Sequence, residues 1–297
     1  LADATPTAAT IVPSGTTYTW AAPVVTGGVT GGAAGTSQST IFGTLTNPTN
    51  VPQTATYTVT PTSGATGACV GATFTVTVTV NPKPVIPNQT ATICSATAFT
   101  VAPANAAPTT IVPAGTTYTW TVVDNANITG DSDQTTPQSS ISQTLTNLTN
   151  TAQTIVYTVT PVSGAQGTCP GASFTVTVTV NPKPTVANET ATVCSGSIFT
   201  VTPTTGGANN NIIATGTTYT WAIPTVTGGI TGGVAGTAQG TIFGTLNNPT
   251  NTPQTATYNV TPTSGTTGNC PGASFTVIVT VNPKPVIFDR VATRSEE

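Results

Sequence analysis

Apolar and polar residues alternate with a period of two over long stretches of this chain. The clearest stretch is Phe74-Thr-Val-Thr-Val-Thr-Val80, with Phe74, Val76, Val78 and Val80 on one face and Thr75, Thr77 and Thr79 on the other. That is the pattern of a strand with one side buried. The same strand recurs at residues 174–180 and at 275–281, where Ile278 on the outward face is the sole departure. Upstream, Tyr157, Val159 and Pro161 alternate in the same way, and Ser163-Gly-Ala-Gln-Gly-Thr-Cys169 between the two runs is rich in turn formers. These two strands are expected to pair as a hairpin at the end of a sheet. Earlier, Ile141 and Leu145 share a strand face, Tyr118 and Trp120 another, and Phe199 with Val201 marks an early strand. No segment carries a helical period, and 29 Gly and 25 Pro would interrupt any helix.

The elements repeat. Thr-Tyr-Thr-Trp ends at Trp20, Trp120 and Trp221, Tyr-x-Val-Thr-Pro begins at Tyr57, Tyr157 and Tyr258, and Asn-Pro-Lys-Pro begins at Asn81, Asn181 and Asn282, a period of 100 and then 101 residues. A period of that size fits a self-sufficient β-sandwich and exceeds the short units of solenoids and propellers. The chain divides into residues 1–84, which lack a first strand, 85–184 and 185–285, with 286–297 equivalent to the start of a further repeat. Seven or so short strands per repeat, separated by Gly, Pro and Asn turns, predict an antiparallel sandwich. Each Trp, flanked by alternating Thr on an early strand, and each Tyr of the late strand is expected in a core rather than on a sugar-stacking surface.

Charged residues make up only 4% of the 297-residue chain and the net charge is −3. Five basic residues give no footprint for a phosphate backbone, so nucleic acid is not an expected partner. No apolar run approaches the ~18 residues of a membrane-spanning helix, so no membrane insertion is expected either. The Thr-rich outer faces predict a neutral, hydroxyl-covered surface. Val, Ile and Thr are too plentiful for a disordered chain.

Ala-Thr-Ile-Cys94-Ser, Ile-Val-Pro-Ala-Gly-Thr-Thr-Tyr-Thr-Trp120, Gly-Thr-Cys169-Pro-Gly-Ala-Ser-Phe and Thr-Val-Thr-Val-Asn-Pro-Lys-Pro184 together resemble the PKD-like immunoglobulin-like repeats of giant cell-surface adhesins of Bacteroidota. The likeness covers essentially the whole chain, although the Gly-Asp-Gly of PKD domains proper is absent after each Trp. It implies an all-β array of three tandem immunoglobulin-like (PKD-like) antiparallel sandwiches. It also implies a secreted, cell-surface location of the kind served by type IX secretion, and a role in adhesion such as that of gliding-motility adhesins. Expected partners are neighbouring repeats or subunits of the same protein, and surface glycans or other cells. The leading function is a stalk or filament. The alternatives are a glycan- or protein-binding module, aided by calcium, and a subunit of a head-to-tail fibre in which the C-terminal strand of one copy completes the first repeat of the next.

The five cysteines fall in two contexts, Gly-x-Cys before the last strand (Cys69, Cys169, Cys270) and Ala-Thr-x-Cys-Ser near the start of a repeat (Cys94, Cys194). Pairing within repeats joins Cys94 to Cys169 and Cys194 to Cys270, each bond constraining the unfolded chain by ~4 to 5 kcal/mol. The rival, Cys69 with Cys94, has a long final strand to span, roughly 33 Å for ten residues, where a disulfide tolerates about 7 Å between Cα atoms. The within-repeat pairs are therefore expected, leaving Cys69 without a partner. Such bonds imply an oxidising compartment.

No catalytic residue is expected. The chain has no His, and acid/base or triad chemistry draws on His or paired carboxylates, which cannot be common to the repeats when the first has Asp3 alone and the third only Glu189 before its C-terminal linker. The glycine runs Thr26-Gly-Gly-Val-Thr-Gly-Gly32 and Thr227-Gly-Gly-Ile-Thr-Gly-Gly233 lack the Lys-Ser/Thr ending of a phosphate loop and read as inter-strand loops. In the second repeat the run becomes Asp124-Asn-Ala-Asn-Ile-Thr-Gly-Asp131-Ser-Asp133. Asp124, Asp131 and Asp133 make it a weak calcium candidate; no other cofactor is expected. Asn88, Asn127, Asn147 and Asn188 stand in sequons and are expected as polar surface residues. Each Asn-Pro-Lys-Pro fixes two φ angles and predicts a semi-rigid joint, so three sandwiches in line would reach roughly 120 Å.

Overall fold

A computed structural model describes residues 10–64, 66–164, 167–207, 210–265, 268–287 and 289. Every regular element among them is a strand. The first repeat holds β1 (Thr17–Trp20), β2 (Val24–Val25), β3 (Gly35–Gln38), β4 (Gln53–Thr62) and β5 (Phe74–Val80). The second holds β6 (Gln89–Cys94), β7 (Thr97–Val101), β8 (Thr117–Val122), β9 (Ile128–Thr129), β10 (Gln134–Gln138), β11 (Ile141–Asn147), β12 (Gln153–Val162) and β13 (Phe174–Asn181). The third holds β14 (Glu189–Cys194), β15 (Ile198–Val201), β16 (Thr218–Trp221), β17 (Thr225–Val226), β18 (Gly236–Gln239), β19 (Ile242–Thr245), β20 (Gln254–Thr263) and β21 (Phe275–Asn282).

The second repeat shows the full sandwich: a five-stranded sheet in the order β10-β8-β12-β13-β6 faces a three-stranded one in the order β7-β11-β9. The expected hairpin is β12 with β13, antiparallel, Tyr157 opposite Val176 and Val159 opposite Phe174. One edge is not antiparallel. β6 lies parallel to β13, running from Gln89 beside Val176 to Cys94 beside Asn181, and β14 repeats this against β21, ending with Cys194 beside Asn282. Parallel pairing needs a long crossover connection, and the whole repeat between β6 and β13 supplies it.

The period-2 faces go where the pattern sends them. Phe174, Val176, Val178 and Val180 are all but fully buried, as are Phe275, Val277, Val279 and Val281, and burying each such side chain stabilises a repeat by about 1.5–3 kcal/mol. Trp20, Trp120 and Trp221 are each 4% exposed, and their indole N–H groups donate to the carbonyls of Ala33, Ser132 and Val234 at 3.0, 3.1 and 3.1 Å. Tyr57, Tyr157 and Tyr258 are buried as well. Phe99 on β7 packs against Tyr157 with ring centroids 5.3 Å apart, and Phe199 on β15 against Tyr258 at 5.4 Å.

The first repeat differs. Among the described residues no strand lies on the far edge of β5, which pairs with β4 alone. Residues 41–45 form no strand there, whereas their counterparts β11 and β19 are held by β7 and β15. Val78 is accordingly 36% exposed where Val178 is 0%. The expected terminal strand over 286–297 falls mostly on residues 288 and 290–297, outside the described residues; Val286 and Ile287 are exposed.

Candidate functional site at the repeat joints

Successive repeats meet end to end through the same few groups. At the second joint the turn that precedes β21 lies over the end of β13: a β-carbon on Gly268 would sit 2.6 Å from Nδ2 of Asn181, and one on Gly272 would sit 2.2 Å from the Pro184 carbonyl oxygen. The first joint is built alike, Gly167 against Asn81 at 2.5 Å and Gly171 against the Pro84 carbonyl at 2.6 Å. Only glycine permits these approaches, and Gly167 and Gly268 also take φ of +110° and +121°, a region other residues rarely enter. The cysteine between each pair of glycines, Cys169 or Cys270, is thereby carried to the neighbouring repeat.

A disulfide closes the second joint. It links Cys94 to Cys270, with Cα atoms 5.6 Å apart and a sequence separation of 176. This overturns the expected pairs Cys94–Cys169 and Cys194–Cys270. The reason is strand direction: β6 runs parallel to β13 and delivers Cys94 to the far end of its own repeat, beside Asn181. Cys169 precedes β13 at the near end, and the seven or so residues between are worth roughly 23 Å of strand. Cys69, Cys169 and Cys194 carry no disulfide. Closing so long a loop constrains the unfolded chain by about 5 kcal/mol in the entropy model.

Several of the polar residues singled out from the sequence have structural partners. Asn147 is 3% exposed, not the surface sequon expected. Its amide donates to the carbonyls of Thr151 and Val180 at 2.7 and 2.8 Å, while its Oδ1 accepts from the backbone N–H and hydroxyl of Thr149. Asn47 and Asn248 make the same four bonds in the other repeats. Asn88 and Asn188 accept from the backbone of Thr175 and Thr276, tying the entry of β6 and β14 to the last strand. Asp133 accepts from the Val122 N–H at 2.8 Å. Among the described residues no three His, Cys, Asp or Glu side chains gather into a metal-holding group, so Asp124, Asp131 and Asp133 do not converge.

The titratable groups with displaced pKa values are buried tyrosines. Burial, reinforced by the negative charge of Asp131, pushes Tyr157 well above the ordinary phenol range, and burial pushes Tyr258 up to about 12. Tyr118 is raised by burial, and Tyr219 by burial and then by Glu189. All stay neutral at physiological pH. The Tyr157 hydroxyl donates to Oε1 of Gln143 at 2.8 Å, and Gln143 donates in turn to the Ser132 carbonyl at 2.7 Å, a link lost where Gly43 and Gly244 replace Gln143. Among the described residues no helix is long and apolar enough to cross a membrane.

The sequence profile of the PKD-like domain matches the chain three times, over residues 4–84, 91–184 and 191–285. No curated protein matches it. Solved structures similar to the chain are themselves tandem arrays. Three N-terminal domains of the bacteriophage RB49 highly immunogenic outer capsid protein share 14% identity over 94% of this chain and 92% of that one, at a TM-score of 0.37. The I-band fragment I67–I69 from titin shares 9% over 92% and 89%, at 0.31, and human CDH23 EC21–23 shares 14% over 89% and 88%, at 0.28. The family assignment rests on the profile match.

Proposed function

Because the chain belongs to the PKD-like domain family over almost its whole length, we propose that it is a structural and adhesive segment of a secreted bacterial surface protein, serving as a stalk or filament. The observation that carries this reading is the Cys94–Cys270 bond. It crosses from one repeat to the next, so it braces the line of repeats rather than a single core, and it forms only where thiols are oxidised. A neutral surface with 4% charged residues suits a spacer more than a steered binding site. The resemblance to Bacteroidota adhesin repeats supplies the finer assignment, including gliding motility and export by type IX secretion. Antibody raised against the chain should label intact producing cells, and the labelled protein should carry the 94–270 bond. A protein confined to the cytoplasm with all five thiols reduced would overturn the proposal.

A second reading, a binding module for surface glycans or protein, is favoured by one observation. The loop from Asp124 to Asp133 differs in sequence from its two counterparts and is held by its own Tyr157–Gln143–Ser132 chain. Glycan binding that is abolished by replacing this loop with residues 225–235 would establish that reading.

A further inference from the structure

The second repeat departs from the first and third on the outer face of its larger sheet. Between the partner of Trp120 and the partner of Tyr118, β10 runs from Gln134 to Gln138. The matching stretches of β3 and β18, Gly35 to Gln38 and Gly236 to Gln239, are one residue shorter. The additional residue widens the bulge and changes what the neighbouring strand offers. In the flanking repeats the hydroxyls of Thr19 and Thr220 accept from the backbone N–H groups of Ser37 and Ala238, each at 3.1 Å. Their counterpart Thr119 has no such bond, and among the described residues no hydrogen bond engages the hydroxyls of Thr119, Thr121 or Thr158. With Gln134 and Thr160 these residues line a groove of about 330 Å³. Thr121 and Gln134 belong to the second repeat alone: Ala21 and Ala222 stand at the first position, Gly35 and Gly236 at the other.

A second groove, of about 450 Å³, adjoins the first at Thr158 and runs past Val156 and Val123 to Asp124. In the flanking repeats the short strands β2 and β17 pair here, against Thr56 and Thr257. In the second repeat β8 leaves β12 after Val122. Val156 replaces the threonine and is 43% exposed, and Val123 is 84% exposed. Together the grooves follow β12 from Thr160 to Thr154, about 20 Å, and they flank both ends of the Asp124 to Asp133 loop.

The lining selects the ligand. Both edges of β8 are already paired, with β10 and β12, so the floor of the first groove offers no backbone groups to an added peptide strand. The second repeat has a single basic residue, Lys183, and it lies in the joint, so nothing in the grooves answers an anion. What they present is free hydroxyls, the amide oxygen of Gln134, the carboxylate of Asp124 and two exposed valines. A Thr hydroxyl donates and accepts, which matches a ligand that is itself covered in hydroxyls, and the valines suit the C–H face of a sugar ring. A few placed polar groups beside apolar contact are what a small-ligand site requires.

We propose that the two grooves form a binding track for an uncharged oligosaccharide. The proposal rests on the glycan form of the second reading above, and it places the contacts on β8, β10 and β12 beside the loop rather than within the loop. The test is affinity electrophoresis of the intact chain through gels containing dextran, mannan, xylan or laminarin, with heparin and hyaluronan as charged counterparts. At least one uncharged polymer should retard the chain, and neither charged one should. The double variant Thr121→Ala, Gln134→Gly carries residues that the other repeats fold with at these positions, and it should weaken the retardation at least tenfold with an unchanged urea midpoint. Val156→Thr should weaken it several-fold. Retardation that survives these variants but disappears when the loop is replaced would overturn the proposal and leave the glycan reading standing. No retardation by any uncharged polymer, or retardation by the charged ones alone, would overturn both and leave the stalk reading untouched.

Discussion

Breaking the Cys94–Cys270 bond should change how far the molecule can be stretched. The bond joins positions separated by 176 residues, and an extended chain spans ~3.6 Å per residue, so about 630 Å of contour length lies behind it. Tension applied at the two chain ends passes along β6, across the disulfide and out along β21. The residues between the two cysteines, most of both repeats, bear no load until the bond opens. In a single-molecule pulling experiment the oxidised chain should therefore extend about 630 Å less than the reduced chain or the Cys270→Ser variant. Cys169→Ser and Cys194→Ser should leave the oxidised extension unchanged. If either of those two variants instead lengthened it by about 270 Å, the contour of a bond spanning some 75 residues, the cross-linking would be within repeats and the reasoning refuted.

Asn147→Ala strips partners from Thr151, Thr149 and Val180 and should lower the stability of the second repeat by about 2–4 kcal/mol, read from its urea midpoint. Gly236→Val places a β-carbon 2.3 Å from the Trp221 ring; the rigid indole cannot yield, and the thermal midpoint of the third repeat should fall by an amount equivalent to about 1–3 kcal/mol. Asp133→Asn keeps an acceptor for the Val122 N–H and should be nearly neutral, whereas Asp133→Ala should cost about 1 kcal/mol in the same measurement. Tyr258, held at about 12 in the folded chain against about 10 when unfolded, contributes stability that is complete below pH 10. That contribution is lost as pH rises toward 12, by about 2–3 kcal/mol, and Tyr258→Phe should flatten this part of an alkaline stability titration.

The strands and the inward positions of Trp120, Tyr157 and Val176 could be read from the sequence because burial on one face of a sheet imposes a period of two. Strand direction leaves no such mark. The alternation in Gln89–Cys94 is the same whether the strand runs with or against β13, and that direction decides whether Cys94 ends near Cys169 or near Cys270. The spacing argument that set aside Cys69–Cys94 applies with equal force to Cys94–Cys169 once β6 is known to be parallel. Asn147 was misread because a sequon says nothing of burial. The recurrence of Asn at 47, 147 and 248, always followed two residues later by Thr, was the available sign of a structural turn. The joint glycines were visible as Gly-x-Cys-x-Gly before every last strand, but their contact partner lies in another repeat, and a pattern repeated within each copy does not reveal what one copy touches in the next.

A bond that leaves one repeat near its beginning and enters the next near its end also changes what a protease can do. Cleavage at any single peptide bond between Cys94 and Cys270 leaves both fragments attached, because the two cysteines lie on opposite sides of the cut. Exposed positions such as Gly207 can then be nicked without the molecule parting. The cut would appear only on a reducing gel, and a chain worn in this way outside the cell would keep its length and its attachments.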